Sequence, residues 1–223
     1  MFATKRHKNY KMDRAFKLPR VYPLTDVRLS SLSHAEQVRL LSLGGASLIQ
    51  LREKHLPVLE FYEQVKAAME LAAASGVQLI VNDRVDLALA IGAHGVHLGQ
   101  DDMPPEAARR LLRPEVIIGY STHNVEQARA ALTQPVDYIA IGPIFKTATK
   151  TDTSPVLGLD GLRAVRAAAG NVPLVAIGGI TQANAREVIE AGADSVAVIS
   201  ALLSDPNFIP VATQNLLELL LSI

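Results

Sequence analysis

Cysteine is absent from the 223 residues, and aromatic residues make up only 4% of them. Without thiols the chain has no disulfide framework, no thiolate nucleophile and no cysteine-bearing zinc site. With so few rings, an interior drawn from the 49% of residues that are apolar has to be filled by Ala, Val, Ile and Leu, which suits packed parallel strands and helices. Long apolar runs are missing too. The stretch Leu216-Leu217-Glu218-Leu219-Leu220-Leu221 carries a charge and falls well short of the ~20 residues that cross a bilayer, so it reads as the last core helix.

Net charge is also lacking, at +0, but the balance is uneven: residues 1–20 hold seven Lys/Arg against Asp13 alone, leaving 15 basic and 21 acidic residues, or −6, in the rest. A basic leader can be a nucleic-acid arm, a membrane arm or an organelle presequence. The plainer reading is a disordered tail over 1–19, and Met12, followed by Asp13-Arg14-Ala15-Phe16, is an alternative start. The tail is discounted functionally. The expectation is a cytoplasmic protein with no nucleic-acid or membrane partner, a homodimer being left open.

From residue 21 onward, short β-rich apolar runs alternate with longer segments whose apolar residues recur at three and four, the pattern of βα units. The strands fall at Val21–Thr25, Leu48–Arg52, Leu79–Asn82, Gly95–Leu98, Ile117–Ser121, Tyr138–Gly142, Leu174–Gly178 and Ser195–Ile199. Helix starts are signalled by Ser33 with Glu36, by Asp83, by Asn124 with Gln127 and by Thr181. Eight such units in one chain of this length predict a single (β/α)8 TIM barrel over 20–223. A doubly wound open sheet would usually show fewer strands and a glycine-rich first turn, and Thr25-Asp26-Val27-Arg28 is no such turn.

Barrel catalysis sits at the C-terminal strand ends, and here those ends are polar. Alternation sends Gln50, Arg52 and Lys54 to one face and Leu51 and Glu53 to the other. A row of donors in a barrel mouth suits an anion such as a diphosphate, or else a layer of salt bridges to neighbouring strands. Strand three ends Asn82-Asp83-Arg84 and strand four runs into His97-Leu98-Gly99-Gln100-Asp101-Asp102. Asp83 and Asp102 can converge on magnesium, which keeps several waters and shares phosphate oxygens; the plain alternatives are an N-cap and a turn residue. His97 reads as a packed, hydrogen-bonded strand residue. Ser121 suits a phosphate contact or a helix cap. The long loop after strand six, with Thr147-Ala148-Thr149-Lys150, reads as a lid or as a solvated loop. Gly178-Gly179, with the end of strand eight at Ile199-Ser200, matches the recurrent phosphate position of barrels. That position fixes a phosphate and not a reaction.

Taken in order, Gln50–Lys54, Asn82-Asp83-Arg84, His97-Leu98-Gly99-Gln100 with Asp102, Ser121, Thr147-Ala148-Thr149-Lys150, Gly178-Gly179 and Ile199-Ser200 resemble thiamine-phosphate synthase over residues 20 to 205. The resemblance implies a transferase that joins a hydroxymethylpyrimidine diphosphate to a (carboxy)thiazole phosphate, releases diphosphate, and uses Mg2+ with no organic cofactor. It implies that Gln50, Leu51, Arg52, Glu53, Lys54, Asn82, Ser121 and Lys150 bind the pyrimidine diphosphate, with Arg52, Lys54, Ser121 and Lys150 serving the chemistry. It implies that Thr147, Ala148, Thr149, Gly179, Ile199 and Ser200 bind the thiazole phosphate, and that Asp83 and Asp102 hold the metal. Lys146 departs from the family, which often has Pro there. Two rivals remain: a sister thiazole tautomerase, with His123 moving the proton, and a non-catalytic thiazole-phosphate-binding protein. Gln100, Asp102 and the intact Thr147-x-Thr149-Lys150 run argue against the first, and retention of both metal carboxylates, Asp83 and Asp102, argues against the second.

Overall fold

The computed structural model describes residues 16–147 and 155–222. Strand β1 (Val21–Pro23) is followed by α1 (Val27–Ser30) and α2 (His34–Leu43), and β2 (Leu48–Leu51) by α3 (Val58–Ser75). Next come β3 (Gln78–Asn82), α4 (Val85–Ile91), β4 (Gly95–Leu98), α5 (Pro105–Leu111), β5 (Ile117–Thr122) and α6 (Val125–Ala131). The last units are β6 (Tyr138–Ile141) with α7 (Gly158–Ala169), β7 (Leu174–Ile177) with α8 (Ala185–Glu190), and β8 (Ser195–Val198) with α9 (Ser200–Leu203) and α10 (Ile209–Leu221).

All eight expected strands are present. They are parallel and ordered β1-β8-β7-β6-β5-β4-β3-β2. The two ends meet at the Leu24–Gln50 bridge, where the Thr25 N–H donates to the Gln50 carbonyl at 2.9 Å. The sheet is therefore a nearly closed barrel, its two end strands joined at that bridge. Its strands are buried nearly throughout, because helices cover the outside and side chains fill the inside.

Local signals explain most element boundaries. Ser33 caps α2 by accepting from Glu36 N, and Asn124 caps α6 by accepting from Gln127 N, both as the sequence indicates. Two expected starts differ. Asp83 has φ 64 and lies outside the helix, whose N-cap is Arg84 with no side-chain cap bond. Thr181 likewise gives way to Asn184, because the chain leaves Gly178 and Gly179 at φ 103 and 65 and makes another turn, Thr181 N–H to Asn184 Oδ1 at 2.8 Å, before α8. Residues 1–15 lie outside the described residues. Phe16, placed in the tail by sequence, packs on Tyr138 with ring centroids 5.9 Å apart, and Leu18 is buried.

Candidate functional site

A cleft of about 950 Å3 occupies the C-terminal mouth of the barrel. Gln50, Arg52 and Lys54 line it from β2 and its loop, Asn82 and Asp83 from β3, Asp102 from the loop after β4, and Ser121 from β5. Leu51 and Glu53 do not. Leu51 is fully buried in the core, and Glu53 turns away to His34, Nε2 to Oε2 3.2 Å. Burial works to raise the Glu53 carboxyl, but hydrogen bonds from the His55 and Leu56 N–H groups, from His34 and from the Lys54 N–H outweigh it and hold the group below its ordinary value. Glu53 thus ties down the loop that carries Lys54, while Lys54 itself faces the cleft.

The salt-bridge reading of the cationic row is present in the structure. Arg52 Nη1 donates to Asp26 Oδ2 at 3.1 Å, and Lys54 pairs with Asp83. Among the described residues no acceptor meets Arg52 Nε, which is buried. Such a donor costs desolvation free energy while it stays unmet; Arg166 Nε, away from the cleft, is in the same state.

Asp83 and Asp102 do converge. Burial first, and the Asp83 carboxylate beside it, push the Asp102 carboxyl up against the opposing pulls of the Gly99 N–H, 2.6 Å from Oδ2, and of Lys54. The left-handed backbone of Asp83 is the local device that brings its carboxylate into the mouth rather than onto the helix start. On the cleft wall among the described residues, the cations Arg28, Arg52 and Lys54 meet the carboxylates Asp26, Asp83, Asp101 and Asp102, with His55, His97 and His123 beside them.

A second, smaller pocket of about 40 Å3 adjoins β7 and β8, lined among others by Thr147, Gly178, Gly179, Ile199 and Ser200. Glycine is required here. A Cβ on Gly178 would lie 2.7 Å from Pro143 Cα, and one on Gly179 2.6 Å from the Lys146 carbonyl oxygen, so the loops after β6 and β7 touch through bare backbone. Among the described residues the Gly178 and Gly179 N–H groups donate to no partner. Ala148, Thr149 and Lys150 lie outside the described residues.

Sequence reasoning missed part of the site. Asp26 and Arg28 line the cleft from the end of β1, where the strand-end rule applied equally well. Tyr22 also lines it and accepts from Gln50 Nε2 at 3.1 Å. The packed, hydrogen-bonded role expected for His97 is present, with Nε2 2.8 Å from Ser121 Oγ and Nδ1 2.9 Å from Tyr138 OH.

Fold and site together define a (β/α)8 barrel enzyme whose polar groups gather at the strand C-termini. Comparison with known proteins narrows this. The family model described as thiamine monophosphate synthase matches residues 21–202. Thiamine-phosphate synthase of Albidiferax ferrireducens is 57% identical over 159 residues, 71% of this chain and 72% of the relative. That of Chloroflexus aurantiacus is 46% identical over 196 residues, 87% and 90% of the two chains. The solved thiamine phosphate pyrophosphorylase from Pyrococcus furiosus superposes with a TM-score of 0.83 at 39% identity, covering 91% of this chain and 96% of that one. The chain belongs to the thiamine monophosphate synthase family.

Proposed function

We propose that this chain condenses 4-amino-2-methyl-5-(diphosphooxymethyl)pyrimidine with a (carboxy)thiazole phosphate to give thiamine phosphate and diphosphate. The carrying observation is the convergence of Gln50, Arg52, Lys54, Asn82, Asp83, Asp102 and Ser121 on one cleft beside a glycine-walled pocket, in a chain whose relatives bear this enzyme's name. Those relatives do not favour the tautomerase or the silent binding protein. In the reaction the bond from the methylene carbon to the diphosphate oxygen breaks, its electron pair leaving with diphosphate. The thiazole nitrogen supplies the pair for the new carbon–nitrogen bond, and a carboxylated thiazole also loses carbon dioxide. The electron-rich aminopyrimidine stabilises a methylene cation, so the displacement is largely dissociative.

The residues divide the work. Arg52, Lys54 and Ser121 neutralise and hold the departing diphosphate, joined by Lys150, while Gln50 and Asn82 orient the pyrimidine. Thr147 and Thr149 hold the thiazole, and Gly179, Ile199 and Ser200 bind its phosphate through backbone and hydroxyl groups. No protein nucleophile is required.

The donor set fits magnesium. Asp83 and Asp102 are hard oxygen ligands close enough for one to raise the proton affinity of the other, a repulsion that a divalent cation relieves. When bound, the metal supplies charge neutralisation at the leaving group. Cytoplasmic location and homodimer assembly accompany this reading and are decided separately, by fractionation and light scattering.

Incubation with both substrates and magnesium, followed by assay of thiamine phosphate and diphosphate, tests the proposal. Product is expected, lost with EDTA and restored by added magnesium. Asp83→Asn, which tolerates the left-handed backbone, should lower kcat at least a hundredfold, on the order of 3 kcal/mol of barrier, with unfolding temperature retained. No product from the native protein, with tight thiazole-phosphate binding, would overturn the assignment in favour of a sensor.

A further inference from the structure

A chain of hydrogen bonds runs through the barrel interior from one part of the cleft to another. Gln50 Nε2 donates to Tyr22 OH at 3.1 Å; Tyr22 OH lies 3.0 Å from Tyr138 OH; Tyr138 OH lies 2.9 Å from His97 Nδ1; His97 Nε2 lies 2.8 Å from Ser121 Oγ. The fold prepares it. His97, Gly119 and Tyr138 are in register on β4, β5 and β6, and a Cβ on Gly119 would lie 2.0 Å from Tyr138 Cζ and 2.5 Å from His97 Nδ1. Only a glycine on β5 lets the two rings meet over it.

The donors in this chain can be assigned one after another. An amide nitrogen only donates, so Tyr22 accepts from Gln50, and Tyr138 is the acceptor left among the described residues for the Tyr22 hydrogen. Tyr138 then gives its hydrogen to His97 Nδ1. A neutral imidazole with an accepting Nδ1 carries its proton on Nε2, and that N–H donates to Ser121 Oγ. Burial pushes both tyrosine hydroxyls up from their ordinary value, so each keeps its proton. Two groups are left for a ligand: the Ser121 hydroxyl hydrogen, and Gln50 Oε1, which no donor among the described residues meets. Turning the Gln50 amide over reverses every bond and points the Ser121 hydrogen back at His97.

We propose that Tyr22, Tyr138 and His97 are positioning residues forming a polarity relay, which couples capture of the pyrimidine's amino group by Gln50 Oε1 to presentation of the Ser121 O–H as a donor to the leaving diphosphate. The proposal rests on the functional reading above and deepens it. An amino group donating to Gln50 Oε1 holds Nε2 against Tyr22, and the relay then holds Ser121 in its donating sense. An oxo group in place of the amino group favours the reversed sense, so the relay selects an aminopyrimidine at the step where the leaving group departs.

The tautomer is measurable without turnover. Nitrogen-15 spectra of the histidine rings in the native protein, saturated with 4-amino-5-hydroxymethyl-2-methylpyrimidine, should show His97 with Nδ1 unprotonated and Nε2 protonated; the opposite tautomer overturns the relay. Tyr138→Phe and Tyr22→Phe should each lower kcat roughly tenfold to hundredfold, with the KM for thiazole phosphate unchanged. Tyr138→Phe on a Ser121→Ala background should cost nothing further. Wild-type kcat in Tyr138→Phe, or losses that multiply in the double variant, also overturn it. A native protein that makes no thiamine phosphate fails the functional reading, while the tautomer still reports on the relay.

Discussion

At the scale of single residues, the cleft depends on charged groups already partnered before substrate arrives. Arg52 holds Asp26 through Nη1 while its side chain lines the cleft, so its planar fork can serve a carboxylate and a diphosphate together. Lysine cannot do this, having a compact ammonium in place of five fixed donors. Arg52→Lys is therefore expected to lower kcat/KM for the pyrimidine diphosphate about tenfold to a hundredfold, the range for a lost hydrogen bond to a charged group. The KM for thiazole phosphate should hold, because Arg52 is not among the residues lining the smaller pocket. Steady-state kinetics with each substrate varied in turn separates the two constants. Equal losses for both substrates would place Arg52 in the barrel's general scaffold and not at the diphosphate.

At the scale of elements, β2 and its loop are held from behind by a buried polar cluster. His34 lies between Thr25 Oγ1 at 2.6 Å and Glu53 Oε2 at 3.2 Å, with the Phe61 ring centroid 5.3 Å away. Burial, against the opposing pull of Glu53, lowers the His34 pKa. A lowered folded value means that the unfolded chain takes up a proton first, so the contribution is intact above the unfolded value of about 6.5 and is lost as pH falls toward the folded one. The stability advantage of the native protein over His34→Gln should accordingly shrink between about pH 7.5 and about pH 5.5, read by urea unfolding; an advantage that grows on acidification would contradict it. This cluster also shows what sequence can tell. Alternation separates Gln50 from Leu51 within β2, and the same split continues into the loop, where Arg52 and Lys54 line the cleft and Glu53 turns to His34. Tyr22 and Tyr138 were illegible, because each reads as apolar filler and their hydroxyls meet across 116 residues of chain. Of the two misplaced helix starts, Asp83 is itself left-handed, which an aspartate does not announce, and Thr181 follows the left-handed Gly178 and Gly179 with one more turn before α8.

At the scale of the whole molecule, the two ends of the barrel carry different burdens. The C-terminal end holds the cleft and its left-handed Asp83, while charged side chains before the strands bolt neighbouring units together. Asp137, just before β6, accepts from the β5 N–H of Ile118 at 2.7 Å and from Arg109 Nη2 at 2.8 Å. Asp194, just before β8, repeats the arrangement with the β7 N–H of Leu174 at 2.8 Å and Arg166 Nη1 at 2.9 Å. The Arg109–Asp137 side chains are only 10% and 12% exposed, so removing Asp137 leaves the buried Arg109 charge with only the carbonyls of Arg113, Pro114 and Val116 and strands the Ile118 N–H. Asp137→Ala is expected to cost about 3–5 kcal/mol of stability, seen as a lower urea midpoint, whereas kcat of the folded fraction should stay at the native value. Neither residue lines the cleft or the smaller pocket, and in a nearly closed barrel the strain of a broken bolt is shared around the ring before it reaches the opposite end. A matched fall in kcat at full folding would mean that the cleft geometry is set from the N-terminal face, and that the separation of stability from chemistry in barrels does not hold in this one.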